Sequence, residues 1–364
     1  MSSSFGKNLT ISVFGASHGK AIGAVVDGLP CGISIDEAAL ARFMKRRAPG
    51  QSLITTQRKE ADQPIFLSGL VNGKLSGSPL AFYIENTNQQ SKDYNNLRDI
   101  PRPSHADYTA RMRYGEAVDM RGGGHFSGRL TAPLCCAGGI ALQILKAKGI
   151  EIGAHLKQIG SVQDRTISFT DPDMDVLQKV SHETVAMVSS QSRLRAITYI
   201  DELRQEGDST GGIIELFATG LPADLGNPNF DGIENRLSQA LFGIPGVKGV
   251  AFGSGFDGCL DRGSNQNDPF RLENGEVRTL NNNSGGIQGG ITNGMPLVLK
   301  VGMKPTASIA KVQPSFSYEA GANTDLQIKG RHDPCIAVRA IPVVEAVTAL
   351  ILLDFLLDNN LKLD

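Results

Sequence analysis

Residues 121–148 read RGGGHFSGRLTAPLCCAGGIALQILKAK. Thr131 to Lys148 are apolar nearly throughout, which predicts a helix buried on almost every side. The run is too short for a bilayer, which takes ~20 apolar residues, and Pro133, Gly138 and Gly139 interrupt it. In front of it stand Gly122, Gly123 and Gly124. Backbone N–H groups of a glycine-rich turn at a helix start form a nest for an anion. Arg129 can add a bidentate contact to phosphate or carboxylate. The stretch therefore joins a core element to a candidate ligand site.

Working outward, Leu9 to Phe14 reads as a strand and Ala24 to Val26 as its return, with the Gly15–Gly19 turn between them. Ser34-x-x-Glu37 fits a capping box ahead of a helix carrying Leu40, Phe43 and Met44. That helix ends in Lys45, Arg46 and Arg47, cations that suit a helix C-terminus. Leu80 to Ile84 reads as a strand, and Asn86 to Gly128 is polar and irregular, rich in His, Arg, Tyr and Gly. Strands follow at Ile213–Ala218, Val250–Phe252 and Leu297–Val301, with helices at Ser192–Glu206, Ile233–Phe242 and Val343–Leu357. The regular alternation of a doubly wound fold is missing, and neither G-x-G-x-x-G nor G-x-x-x-x-G-K-S/T appears. No linker, low-complexity segment or repeat divides the 364 residues, so residues 1–364 are expected to form one domain.

Lys and Arg total 36 against 37 Asp and Glu, a formal net charge of −1. That balance argues against a nucleic-acid or anionic-membrane binder, which needs a basic excess. An anionic ligand must then be held by local arginines. The N-terminus has no secretory pattern, and the five cysteines contain no CxxC pair. Free thiols in a reducing cytoplasm are expected.

Histidine is rare, at six, and four of them lie in glycine-, proline- or arginine-rich segments. His18 follows a predicted strand in Gly15-Ala16-Ser17-His18-Gly19. Neighbouring Ser17 and His18 would point to opposite faces of an extended chain, so they do not make a nucleophile and its base. His105 lies in Arg102-Pro103-Ser104-His105-Ala106-Asp107, where Pro103 holds Arg102 extended. Lys304-Pro305-Thr306-Ala307-Ser308 offers a cation and two hydroxyls for a phosphate monoester. Arg331-His332-Asp333-Pro334-Cys335 could be read as metal ligands, but adjacent His and Asp chelate poorly and no second cluster exists, so no metal is expected. Pro334 favours an extended Asp333, which would put Arg331 on the same side as its carboxylate. Many local arginines, loop histidines and no obvious nucleophile point to acid–base or elimination chemistry on a small polyanion.

These segments resemble the chorismate synthase family. The stretches run from Phe5 to near Asp354: Gly15–Gly19, Arg46–Gly50, Thr55–Glu60, Arg102–Tyr108, Arg121–Thr131, Asn282–Gly290, Lys304–Ser308 and Arg331–Cys335, with Arg339 and Glu345 beyond. The resemblance implies an α+β sandwich, helices layered between two antiparallel sheets, assembled as a cytoplasmic homotetramer. It implies a lyase that converts 5-enolpyruvylshikimate 3-phosphate to chorismate by anti-1,4 elimination of phosphate. That is the last common step of aromatic amino acid biosynthesis. Reduced FMN is needed without net redox change, and NADPH is the candidate reductant of the flavin.

By position, the resemblance makes His18 the acid for the departing phosphate, lets His105 act on the reduced flavin, and has Asp333 help flavin N5 take up the substrate proton. Arg47, Arg102, Ser127, Arg129 and Arg331 would bind substrate anions. His125, Phe126, Ser127, Gly289, Lys304, Pro305, Thr306, Ala307, Ser308 and Arg331 would lie along FMN. The chain departs from the family pattern at Ala16, usually Glu, and at His125-Phe126-Ser127-Gly128-Arg129-Leu130, more often Arg-Ser-Ser-Ala-Arg-Glu. It also departs at Leu53, often Arg, and at Pro245-Gly246, in place of Asn-Ala.

Overall fold

A computed structural model describes residues 3–50, 62–87, 99–328 and 332–358. Two five-stranded sheets, antiparallel throughout, enclose a layer of helices. The first sheet is built from β1 (Ser4–Phe5), β2 (Thr10–Gly15), β3 (Ala21–Asp27), β4 (Ile65–Ser68) and β7 (Leu80–Glu85), in the order β1-β2-β3-β7-β4. The small hairpin β5 (Leu70–Val71) and β6 (Lys74–Leu75) leaves this sheet. The second sheet uses β8 (Glu151–Ile159), β9 (Val162–Gln163), β10 (Gly212–Thr219), β12 (Val247–Phe252) and β17 (Leu297–Met303), ordered β12-β17-β10-β8-β9. A three-stranded sheet holds β11 (Ala223–Gly226), β15 (Ile287–Gln288) and β16 (Ile291–Asn293), and two outlying hairpins pair β13 (Phe270–Glu273) with β14 (Glu276–Thr279) and β18 (Gln313–Ser317) with β19 (Ala322–Leu326).

The core layer consists of α1 (Glu37–Arg47), α3 (Thr131–Ala147) and α8 (Ala337–Asp358), with α2 (Asp107–Tyr114), α4 (Met174–Val180), α5 (Ser190–Glu206), α6 (Ile233–Leu241) and the one-turn α7 (Gly263–Gln266) outside it. By length and composition α3, counted with the turns before it, and α8 could cross a membrane, but 78% and 94% of their apolar windows are buried inside the fold. They are core helices. Glycine in a helix interior costs up to about 1 kcal/mol, and α3 has two for a steric reason. A Cβ on Gly138 would stand 2.3 Å from Ala346 Cβ on α8, and one on Gly139 would stand 2.6 Å from Leu40 Cδ1 on α1. Each glycine lets a different helix close in.

The N-cap of α1 is Asp36, whose carboxylate accepts from Ala39 N–H at 2.9 Å; Ser34 instead makes a bridge to Lys74, so the expected capping box is not formed. The stretch expected to be irregular contains α2, and α8 starts earlier than expected, running through Pro342. Strand β8 was not anticipated, because Gly153 and Ala154 blur the alternation of Ile152, Ala154 and Leu156.

Two buried charge clusters fasten the layers. The Asp354 carboxylate of α8, fully buried, accepts the backbone N–H groups of Lys7, Asn8 and Leu9 at 2.7–2.8 Å and pairs with Arg236. His155 of β8, also fully buried, lies between Asp164 (3.0 Å) and Glu215 (3.1 Å), its register partner on β10. Burial alone would lower the His155 pKa, but hydrogen bonds to Asp164 and Glu215 outweigh it and raise the pKa above its ordinary 6.5.

Two outcomes follow from this packing. Gly138→Ala should destabilise the fold by about 1–3 kcal/mol through overpacking against Ala346; an unchanged denaturation midpoint would contradict the close approach. The raised His155 pKa makes its contribution full below 6.5 and lost as pH rises through the folded value. The thermal stability gap between the unmodified protein and His155→Asn should therefore shrink as pH climbs from 6 to 9. A gap independent of pH would show that His155 does not carry the proton.

Candidate active site

Strand β2 ends at Gly15, and the turn that follows buries His18 to 5% exposure. Gly122, Gly123 and Gly124 all have positive φ (60°, 89° and 54°), the backbone that glycine adopts without strain. A Cβ on Gly122 would stand 2.1 Å from His18 Cε1 and Nδ1. A Cβ on Gly123 would stand 3.5 Å from His105 Cε1 and Nε2 and 3.4 Å from Ser127 Cβ. The glycine triplet thus passes between the two imidazoles, with Ser127 alongside. Gly124 C=O accepts from Ser17 N–H at 3.0 Å and holds the two turns together.

His105 is oriented by Asp107, the first residue of α2. Its Nδ1 stands 2.7 Å from Asp107 Oδ1 and 3.0 Å from Arg102 Nη2. Arg102 has no acceptor, and Nη2 already donates to Asp107 Oδ1 at 2.8 Å. Nδ1–H therefore donates to the carboxylate, and Nε2 is left on the side of Gly123. Arg102 adds a second bond, Nε to Asp107 Oδ2 at 2.7 Å. Burial would raise the Asp107 pKa, but the bonds from Arg102 and His105 prevail and hold the carboxyl well below the usual carboxylate range. Sequence reading gave Asp107 no role; its place two residues after His105 was the available signal.

Arg102 Nη1 also donates to Ser308 Oγ at 3.2 Å, which ties the His105 loop to the turn after β17. In that turn Lys304 Nζ donates to Ser104 C=O, and Thr306 Oγ1 donates to Asp333 C=O at 2.7 Å. Burial first, then the nearby Lys248 charge, lowers the Lys304 pKa. Pro305 is exposed, and Ala307 is half-buried. A cavity of about 460 Å³ beside this turn is lined by Gln158, Thr210, Lys248 and Lys304 with several glycines.

Asp333 Oδ2 pairs with Arg339 Nη1 at 2.6 Å, and Arg339 Nε donates to Arg47 C=O at 3.0 Å. Arg339, in the first turn of α8, is thus a cation partner that sequence reading missed. Arg331, expected in that role, lies outside the described residues, as do Leu53 and Thr55–Glu60. Arg47 and Arg129 share the carboxylate of Asp62: Arg47 Nη2 stands 2.9 Å from Oδ2, and Arg129 Nη1 pairs with Oδ1. Asn86 links this cluster to the His18 turn. It accepts from Arg129 Nε at 3.1 Å and donates to the carbonyls of Ala16 and Gly19.

The structure therefore gathers His18, His105, Asp333, Arg47, Arg102, Ser127, Arg129, Lys304, Thr306 and Ser308 into one continuous network. His125 and Phe126 have partners of their own within the fold. His125 bonds Gly15 C=O through Nδ1 and Ser3 Oγ through Nε2, both at 2.8 Å, so its ring bridges the glycine loop to β2 and the N-terminal strand. Phe126 packs against Tyr114 at 6.4 Å between ring centroids. Gly289 turns the β15–β16 hairpin with φ 62° and open space where a Cβ would be.

Residues 9–357 match the chorismate synthase family. Chorismate synthase of Parabacteroides distasonis is 44% identical over 97% of this chain and 97% of its own length. That of Korarchaeum cryptofilum is 43% identical over 97% of each, and that of Methanosarcina acetivorans 41% over 98% and 96%. A crystal structure of chorismate synthase superimposes with a TM-score of 0.77 at 27% identity, covering 98% of this chain and 93% of that one. An antiparallel sandwich of this topology, a glycine turn between two histidines, and these full-length likenesses together place the chain in the chorismate synthase family.

Proposed function

We infer that this chain is a carbon–oxygen lyase that eliminates phosphate from 5-enolpyruvylshikimate 3-phosphate to give chorismate, in the last common step of aromatic amino acid biosynthesis. The observation that carries the reading is the pair of imidazoles on either side of the Gly122–Gly124 turn, with arginines on both flanks. Glycine is required in this turn, because a Cβ at Gly122 would stand 2.1 Å from the His18 ring.

The substrate's two carboxylates and phosphate need cations, and Arg47, Arg102 and Arg129 supply them. His18 protonates the departing phosphate, which makes it a better leaving group. His105 keeps one tautomer because Asp107 accepts from Nδ1, so its Nε2 is the basic atom presented to the site. Asp333, with Pro334 behind it and Arg339 Nη1 2.6 Å from Oδ2, holds a carboxylate where the substrate proton must go.

Reduced FMN fits the residues present. The Lys304 pKa, lowered by burial and by Lys248, would be raised by an added phosphate; Thr306 and Ser308 bring hydroxyls; and a cavity of about 460 Å³ borders Lys304. When bound, reduced FMN supplies electron density to the allylic system during elimination, without net redox change. NADPH is the proposed source of its reduction. A homotetramer in the cytoplasm completes the proposal. The five free cysteines suit a reducing compartment. The exposed side chains of Phe256, Leu260, Phe270, Leu272 and Val277 suit contact with further copies.

Anaerobic assay of the purified protein tests this directly. Photoreduced FMN should support chorismate formation without being consumed, and oxidised FMN alone should not; turnover with oxidised FMN and no reductant would refute the assignment. Asp333→Asn keeps size and removes basicity. It should bind FMN and substrate almost normally and turn over at least ~100-fold more slowly. Near-normal turnover would remove Asp333 from the proton path.

A further inference from the structure

Ser104, the residue before His105, has φ 58°, a left-handed backbone that a residue with a side chain keeps only when its surroundings hold it there. Lys304 Nζ bonds the Ser104 carbonyl from one side. The β18–β19 hairpin holds both ends of the segment. Before the loop, Asp99 accepts from Ser317 Oγ at 2.6 Å and from Glu319 N–H at 2.8 Å, Ser315 Oγ donates to Pro101 C=O at 2.6 Å, and Ile100 packs on Leu326 and Ile328. After the loop, the Tyr108 ring meets Phe316 edge-on at 6.1 Å, and Phe316 meets Tyr318 at 4.8 Å. The Arg111 guanidinium lies 3.9 Å from the centre of the Tyr318 ring and also pairs with Glu116 at 3.2 Å.

Helix α2 depends on these contacts. It has 8 residues, too few for a helix to be stable alone, and only Asp107 and Ala110 are buried. Its far end rests on Phe126 through Tyr114. Its first residue is Asp107, whose carboxylate fixes the His105 tautomer. The Tyr318 hydroxyl is buried and has no hydrogen-bond partner among the described residues, so what Tyr318 offers α2 is the face of its ring.

We propose that Tyr318 is a positioning residue for catalysis: its ring fixes α2, and α2 places the Asp107 carboxylate that holds His105 as the Nδ1–H tautomer. This rests on the reading of His105 as a group that acts at the site. The route is a chain of contacts, from ring to guanidinium, from helix to carboxylate, and from carboxylate to imidazole. Without the ring face the start of α2 is free to shift. Asp107 then holds Nδ1–H less well, and the other tautomer, with Nε2 protonated, gains population. A small misplacement of this kind, caused at a distance from the chemistry, is enough to cost turnover.

Two measurements on the full chain test this: kcat with reduced FMN, and the NMR signature of the His105 tautomer in protein with isotope-labelled histidine, assigned with His105→Ala. Tyr318→Phe keeps the ring and should retain kcat within ~2-fold, with His105 protonated at Nδ1 as in the unmodified protein. Tyr318→Leu keeps apolar bulk but loses the ring face. It should lower kcat at least ~10-fold and show both tautomers. If Tyr318→Leu does not fold, Phe316→Leu decides in its place. It breaks the Tyr108 contact, leaves Tyr318 intact, and should shift tautomer and kcat in the same direction. A lower melting temperature with tautomer and kcat unchanged would make the role of Tyr318 merely structural and overturn the proposal. An equal loss in Tyr318→Phe and Tyr318→Leu would transfer the effect to the hydroxyl and overturn it too. Asp107→Asn separates the two levels of the argument. If it lowers kcat while Tyr318→Leu matches the unmodified protein, only the role of Tyr318 fails. If His105→Ala itself turns over normally, the reading of His105 fails and the proposal with it.

Discussion

The crossing of α3 and α8, where Gly138 meets Ala346, is the contact on which the rest of the molecule depends. Helices in proteins usually lie 8–10 Å apart, set by the side chains between them. Here the missing side chain lets the two most deeply buried helices press together, and Gly139 lets α1 press on α3 in the same layer. The functional consequence lies at the helix ends. The C-terminus of α1 delivers Arg47, the start of α3 follows Arg129 and carries Thr131, and the first turn of α8 carries Arg339. These ends touch: Arg47 bonds to Thr131, and Arg339 bonds to the Arg47 carbonyl. Close packing in the core and placement of the cationic wall are one geometric fact.

Charge is organised on the same scale. The chain as a whole is almost neutral, at −1, so it has no general field to draw anions in. Cations are instead gathered locally in the site and held there by acids: Asp107 on Arg102 and His105, Asp62 on Arg47 and Arg129, Asp333 on Arg339. Each acid also sets an orientation. Asp107 illustrates this, since one carboxylate fixes both the plane of Arg102 and the tautomer of His105.

What could be read from the residues alone follows this division. The buried α3, the strand–turn–strand around His18 and the suspect glycine triplet were visible, because apolar runs and glycine clusters are local signals. Partners brought in by the chain's long-range course were not. Arg339 stands beside Asp333 because helix α8 begins at Ala337 and turns it back, whereas Arg331, expected there, lies outside the described residues. Asp62 lies in a stretch with no distinguishing composition, and only the fold places it between residues 47 and 129. The capping box at Ser34 misled for the opposite reason: Asp36 is a competent cap two residues later, and Ser34 is used in a bridge to Lys74.

The altered loop at His125 and Phe126 shows why such a site tolerates change in its sequence. At Gly122–Gly124 what matters is that the backbone takes positive φ and stays in place, with Gly123 N–H donating to Met120 C=O at 2.9 Å. His125 meets the second requirement by bonding Gly15 and Ser3, so the loop is tied to β2 on one side and to the first strand's neighbourhood on the other. Phe126 packs on Tyr114 at the end of α2, the helix whose first residue, Asp107, orients His105. Two side chains that depart from the family pattern are thus placed where they brace the turn between the histidines, while Ser127 lies against Gly123 and Arg129 pairs with Asp62.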